Sequence, residues 1–261
     1  MLFLLPPSET KAVGGGSLTI QQVALTFGGL NAARESVYKA LEAVCRKPKL
    51  AAQVLKLSPK QLDQIRVNLE VQTAPTMRAL ERYTGTLYDA IHQGNDDQSL
   101  TTDAWARAKQ SVLIQSSLFG LIPATDLIPN YRLSSSTKLP KIELKKVWQE
   151  AHKPILRRLD QGLIVDLRSK AYAELAPLPD DIEHVWVEVV SRESDGQLRA
   201  LNHFNKRAKG LLIRAVLLAE KQPQTFSDLA VIAATVGMDL YTDEKTGHLL
   251  LVTDQIVKAK R

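Results

Sequence analysis

The sequence predicts an α+β fold, a mixed sheet with helices packed around it. Three observations carry that expectation. Short apolar runs at residues 2–5, 112–114, 163–167 and 249–252 read as buried strands. Between them lie longer segments whose apolar residues recur at helical spacing. The two kinds of segment follow no regular strand–helix period, which favours a mixed architecture over a doubly wound one. The chain has 261 residues, a size at which one hydrophobic core can still grow. No internal repeat, low-complexity stretch or linker divides it, so a single domain over residues 1–261 is expected.

Each element has its own reason. The first strand ends at Pro6-Pro7, and Gly14-Gly15-Gly16 reads as a flexible segment. Residues 19–45 read as helical, with Leu30, Val37, Leu41 and Val44 on one face. Lys47-Pro48 breaks that pattern, and Ala51, Val54 and Leu55 mark a short second helix. Leu57-Ser58-Pro59 is a turn: Ser58 is a good N-cap and Pro59 suits the first helical position of a segment reaching about residue 69. Residues 77–91 read as a helix interrupted by Gly85, residues 95–102 as a polar loop, and residues 103–109 as a short helix. The Pro- and Gly-rich stretch 118–133 reads as an ordered loop, and residues 144–159 as a helix with Val147, Ile155 and Leu159 inward. Residues 184–190 alternate as a strand, and residues 206–218 are helical. A short helix starts at 226–230, and residues 230–236 read as a strand.

Composition excludes several classes. Hydrophobic residues make up 44% and charged residues 24%, a globular balance that excludes wholesale disorder. Aromatics are only 5%, which argues against a surface of stacking platforms. Cys45 is the one cysteine, so no disulfide forms within the chain and no disulfide-linked partner is expected. The start MLFLLPPSETK lacks the basic residue and longer apolar core of a signal peptide. No apolar stretch is long enough for a membrane span. By elimination, a soluble cytoplasmic protein without membrane contact is expected.

The net charge of +6 is segregated. Residues 132–170 hold ten basic and four acidic side chains, an excess equal to that of the whole chain. Lys206, Arg207, Lys209 and Arg214 form a second basic block with no acid between its ends. Several cations on one surface release counterions from a polyanion and so favour its binding. A solvated helix face is the plain alternative for Lys141, Lys145 and Lys146.

Familiar catalytic patterns are missing. There is no GxxxxGK[ST], GxGxxG or GxSxG. The five histidines are scattered singly with no ligand spacing, so no metal site and no cofactor are expected. Cys45, beside Val44 on an apolar face, reads as an inert buried thiol. Two places could be chemical. Asp166 ends a strand and is followed by Arg168, a placement that suits an active site or structural glue equally. Ser8-Glu9-Thr10-Lys11 follows the first strand and is either an anion-binding turn or a capped turn.

Several ordered segments then carry a family resemblance. They are Leu2 through Lys11, Tyr83-Thr84-Gly85-Thr86-Leu87-Tyr88, and Ser117 through Pro123 with Asp126 through Leu133. Trp148, Val165 through Tyr172, and Phe204 through Leu211 complete the set. In these segments the chain resembles the YaaA family of peroxide-stress proteins. The resemblance implies a single α+β domain with a helix-hairpin-helix-like element, a basic cleft and double-stranded DNA as partner. It also implies a role in the oxidative stress response, limiting damage from iron and peroxide.

On that resemblance Lys11, Lys56, Lys60, Arg132, Arg168, Lys206, Arg207 and Lys209 are the expected phosphate-binding cations. Lys56 and Lys60 flank the turn that lies where the family has its hairpin; a plain αα-corner is the alternative. Gly85, Gly120 and Gly210 mark tight turns or close approaches of backbone. There are departures from the family pattern. Lys209 replaces an Arg and loses its bidentate fork. Glu9 stands at the family's lysine position, with Lys11 displaced, and Asp166 replaces an Asn.

Two readings follow. The first is a non-enzymatic, sequence-tolerant binder of double-stranded DNA through phosphate contacts. The second is an enzyme acting on a nucleotide, nucleic acid or other phosphorylated substrate. Its catalytic candidates are Ser8, Glu9, Asp166 and Tyr172, with Lys11, and it requires them to meet in one pocket. An iron-handling role lacks ligands at metal spacing.

Overall fold

The computed structural model describes residues 1–93, 99–159, 162–192, 197–200 and 205–253. Along the chain come β1 (Leu2–Leu5), α1 (Asn31–Cys45), α2 (Pro48–Val54), α3 (Asp63–Leu69), β2 (Met77–Arg78), α4 (Ala79–Arg82) and α5 (Thr86–His92). Then follow α6 (Thr102–Ser111), β3 (Val112–Ser116), β4 (Gly120–Pro123), β5 (Leu127–Ile128), α7 (Leu144–Leu156), β6 (Ile164–Asp166) and α8 (Lys170–Ala173). The last are β7 (His184–Arg192), β8 (Leu198–Ala200), α9 (Asn205–Leu218), α10 (Phe226–Ala234), β9 (Met238–Thr242) and β10 (Leu249–Thr253). The fold is mixed α+β, a sheet flanked by helices.

The sheet runs β4-β3-β1-β6-β7-β10-β9, with β8 also on β7. Its interior is parallel: β1 pairs with β3 and β6, and β7 with β6 and β10. The antiparallel strands β4, β8 and β9 pair with β3, β7 and β10. This explains the continuous apolar runs, since a strand covered by helices on both faces has no polar side. All four residues of β1 and all five of β3 are buried. Each fully buried Leu or Phe there contributes about 1.5–3 kcal/mol by leaving water.

Several boundaries differ from the sequence-based expectation. The helix expected over 19–45 begins at Asn31, because Phe27 adopts a left-handed φ of 59° and Gly28–Leu30 form a 3₁₀ turn. The helix expected over 77–91 is split. Met77–Arg78 pairs antiparallel with β5, and Gly85 takes a φ of 94° between α4 and α5. The loop expected at 118–133 holds β4 and β5. The strand expected at 230–236 is the end of α10, whose start is fixed by a reciprocal cap between Thr225 and Asp228. The edge strand β9 was not anticipated. The polar loop 95–102 falls partly outside the described residues, as do Phe204 and His203.

The glycine segment after Lys11 is pinned. Buried Arg82 donates to the carbonyls of Gly14 and Pro75 at 2.9 Å each, and to that of Ala12. The Gly16 amide donates to Thr76 O at 2.8 Å. Near the turn at Leu57-Ser58-Pro59 stand α2, a 3₁₀ turn over Pro59–Gln61 and α3. Ser58 and Gln61 cap that turn reciprocally.

Candidate functional site

β1 has β3 on one side and β6 on the other, so the connections from β1 to β3 and from β3 to β6 leave in opposite directions. In open sheets with parallel strands, ligands sit in the crevice beyond the carboxyl ends at such a point. The loops that follow β1 and β6 meet there around a cleft of about 420 Å³. Pro6 through Thr10 form one wall; Ser169 and Tyr172 come from beyond β6; Thr84 through Tyr88, Ser134 and Lys206 complete it.

The structure therefore brings together Ser8, Glu9, Tyr172 and Lys206 from distant parts of the chain, with Gly85 between them. The positive φ of Gly85 lets the chain turn, and a Cβ there would lie 3.3 Å from Thr10 Oγ1 and 3.5 Å from Ser8 Oγ. The Gly85 amide donates to Asp89 Oδ1 at 3.0 Å. Much of the wall is uncharged hydroxyl. Burial raises the Tyr172 phenol well above its usual range, so it remains a neutral donor.

Lys11 lies under the Ser8–Thr10 wall. Its Nζ donates to Ser8 O at 3.0 Å and to Glu9 O at 3.3 Å, and stands 4.1 Å from the centre of the Tyr131 ring. Burial pulls its pKa down to about 7; Arg132 pushes the same way, Glu9 opposes, and Arg82 adds a further lowering. Arg132 donates to the Glu9 carboxylate at 2.9 Å, so that the acid of the wall is neutralised by a neighbour. Beneath them, the Tyr131 hydroxyl is 2.8 Å from both Tyr83 Oη and Ser116 Oγ. Tyr88 donates to Pro6 O at 2.7 Å and fixes the start of the wall.

Three expected site residues are elsewhere. Asp166 and Arg168 form a buried bidentate ion pair, with Nη2 to Oδ2 at 2.7 Å and Nε to Oδ1 at 2.9 Å. Arg168 Nη1 also donates to Ala176 O at 2.8 Å. The pair borders another hollow, with Trp186 and His184, so Asp166 does not join Ser8 and Tyr172. Lys209 is buried in α9, donates to Leu167 O at 3.0 Å, and has its pKa lowered to about 8 by burial. Arg168 and Lys209 thus hold the fold together and are not exposed cations.

The remaining cations differ in exposure. Lys56, Lys60 and Lys206 are exposed, and Arg207 is half-buried. Gly120 has a φ of 68° and faces Trp148, while Gly210 lies against the backbone of α5. Thr10 belongs to the turn that sequence reasoning singled out, but Thr84, Ser134 and Ser169 were missed as cleft residues; no spacing marks them, because only the sheet order assembles them. Among the described residues no group of three or more His, Cys, Asp or Glu could hold a metal ion. None of the described helices is long and apolar enough to cross a membrane, and the single cysteine is buried.

A mixed α+β protein with a hydroxyl-lined cleft at the carboxyl ends of its central strands is the class these features define. The family model described as "Peroxide stress protein YaaA" matches residues 1–236. A UPF0246 protein of Corynebacterium glutamicum is 38% identical over 253 residues, covering 95% of this chain and 97% of that protein. One from Streptomyces coelicolor is 35% identical over 243 residues, covering 92% of each. The chain belongs to the YaaA/UPF0246 peroxide-stress family.

Proposed function

We propose that this protein binds double-stranded DNA through its phosphates, without base readout, within a response to peroxide stress. The observation that supports this best is the charge on α7. Leu144, Trp148, His152 and Leu156 bury one face of that helix, leaving Lys145, Lys146 and Lys153 exposed. Arg157 and Arg158 continue the exposed series, and Lys138, Lys141 and Lys170 are exposed nearby in sequence. Glu174 takes Lys145 at 3.1 Å and Asp181 reaches Arg157 at 3.9 Å; such exposed pairs are weak and open readily to a phosphate. Lys56 and Lys60, at the turn between α2 and α3, add phosphate contacts in a hairpin-like manner. The test is fluorescence anisotropy of a labelled duplex with wild type and a K145A/K146A/K153A variant. A drop of tenfold or more in affinity supports the reading, and an unchanged affinity removes α7 from the interface.

A second reading keeps part of its expected site: Ser8, Glu9 and Tyr172 meet in the cleft together with Lys206, although Asp166 is paired with Arg168 elsewhere and does not join them. It makes the protein an enzyme acting on a nucleotide or another phosphorylated substrate. Turnover of a phosphorylated compound, abolished by Ser8→Ala with the fold intact, would establish it.

A further inference from the structure

The cleft and the α7 surface differ in scale. A volume of about 420 Å³ lies within the ~300–1,000 Å³ range of small-ligand pockets. It cannot admit a duplex, but it can admit one nucleotide unit. We propose that the cleft is a binding site for a single nucleotide-sized phosphate ester, and that its occupation draws a proton onto Lys11. This rests on the reading that the protein binds phosphate esters, and it names the site that takes one of them.

The wall chemistry suits such a ligand. Hydroxyls of Thr84 and Ser169 can donate to phosphate or sugar oxygens, and exposed Lys206 stands among the lining residues. Those of Ser8 and Thr10 bond each other at 3.2 Å, with Thr10 also donating to Thr84 O at 3.3 Å, and can turn to the ligand by exchanging these bonds. Gly85 keeps the wall open where a Cβ would meet the Thr10 and Ser8 hydroxyls. Among the described lining residues the only carboxylate, Glu9, is already held by Arg132 at 2.9 Å. An entering anion therefore meets a neutralised acid and an exposed rim cation.

Lys11 supplies the coupling. Its amine is held by the carbonyls of Ser8 and Glu9, two residues of the wall itself. The charged and titratable groups around it are Arg132, Glu9 and Arg82, together with the rings of Tyr131 and Tyr83. From the cleft side, Lys206, Tyr88 and Tyr172 face the ligand space. Among the described residues no carboxylate bonds directly to the amine, and burial lowers its pKa to about 7. A negative ligand behind the Ser8–Glu9 wall favours the ammonium, so the bound pKa is higher than the free one. Binding is then strongest below the free pKa and weakens as pH rises towards the bound one. Over that window affinity falls up to tenfold per pH unit.

The experiment is isothermal titration calorimetry of the full chain with the 5′-methyl phosphodiester of thymidine, one nucleotide unit whose phosphate does not titrate near neutrality. It is run at pH 6 and pH 8 in two buffers of different ionisation enthalpy. The expected result is uptake approaching one proton per ligand at pH 8, close to none at pH 6, and weaker binding at pH 8. Lys11→Arg should abolish the uptake, and Gly85→Ala should weaken binding tenfold or more at both pH values. Binding without proton uptake, or uptake that survives in Lys11→Arg, overturns the inference. So does a failure to bind the thymidine ester while duplex DNA still binds, which leaves the DNA reading standing. Failure of both ligands overturns the two together.

Discussion

The Arg132 guanidinium donates to the Glu9 carboxylate at 2.9 Å across 123 residues of sequence. The pair joins the loop after β1 to the segment after β5, over the amine of Lys11. Arg132 lowers the Lys11 pKa and Glu9 raises it, while burial has the largest effect. Replacing Arg132 by Met should therefore raise the Lys11 pKa from about 7. The Lys11 ¹³Cε shift followed by NMR across pH 5–11 checks this. A fall, or no change, would mean that Arg132 does not act on the amine.

His152 should make the protein acid-sensitive. Its Nδ1–H donates to Trp148 O at 2.7 Å, which leaves Nε2 to accept from the Leu121 amide at 3.0 Å. Burial lowers its pKa to about 4 from an ordinary 6.5. The unfolded state thus binds more protons between those values, and stability falls as pH drops through that window. The loss is on the order of 3 kcal/mol when complete. Melting temperature against pH should decline from pH 6.5 to 4, and His152→Gln should flatten that limb of the curve.

Gly210 marks where two helices touch. A Cβ at this position would stand 2.2 Å from Leu87 O and 2.7 Å from Ala90 Cβ. Neither is the far end of a flexible side chain, so α9 or α5 must move. Gly210→Ala should cost about 1–3 kcal/mol or more, read as a lower urea midpoint with an unchanged slope.

Much of this arrangement was legible in the sequence, for physical reasons. β1, β3, β6 and β10 stood out because strands covered on both faces are continuously apolar. The edge strand β9, Met-Asp-Leu-Tyr-Thr, is largely exposed and carries no such run. The end of α10 was mistaken for a strand because Val231, Ile232 and Val236 are β-branched, whereas the Thr225–Asp228 cap propagates a helix through Ala234. Ser8 and Glu9 were singled out as a turn after a strand, and they do line a cleft. The partnership of Ser8 with Tyr172 and Ser134 depends on β1 lying beside β6, which no local pattern encodes. Asp166 and Arg168 illustrate the reverse: a strand-end acid followed by a cation suited catalysis and structural pairing equally, and burial decided for the pair.

That pair separates stability from binding. Arg168→Ala would leave Asp166 buried without its partner, a change that costs about 3–5 kcal/mol. The expected outcome is a strongly lowered melting temperature, with DNA affinity unchanged at temperatures where the variant stays folded. Lys146→Ala, at an exposed position of α7, should do the opposite, weakening DNA binding while melting as wild type does. Equal melting temperatures for Arg168→Ala and wild type would contradict the buried pair.

The most direct test of the central proposal is the affinity of the protein for a labelled DNA duplex, measured across salt. Phosphate binding by the exposed cations of α7 and of the turn between α2 and α3 should produce micromolar or tighter binding at low salt. The logarithm of the affinity should then fall linearly with the logarithm of salt, at a slope of several units. No binding at low salt, or binding that salt does not weaken, would contradict it.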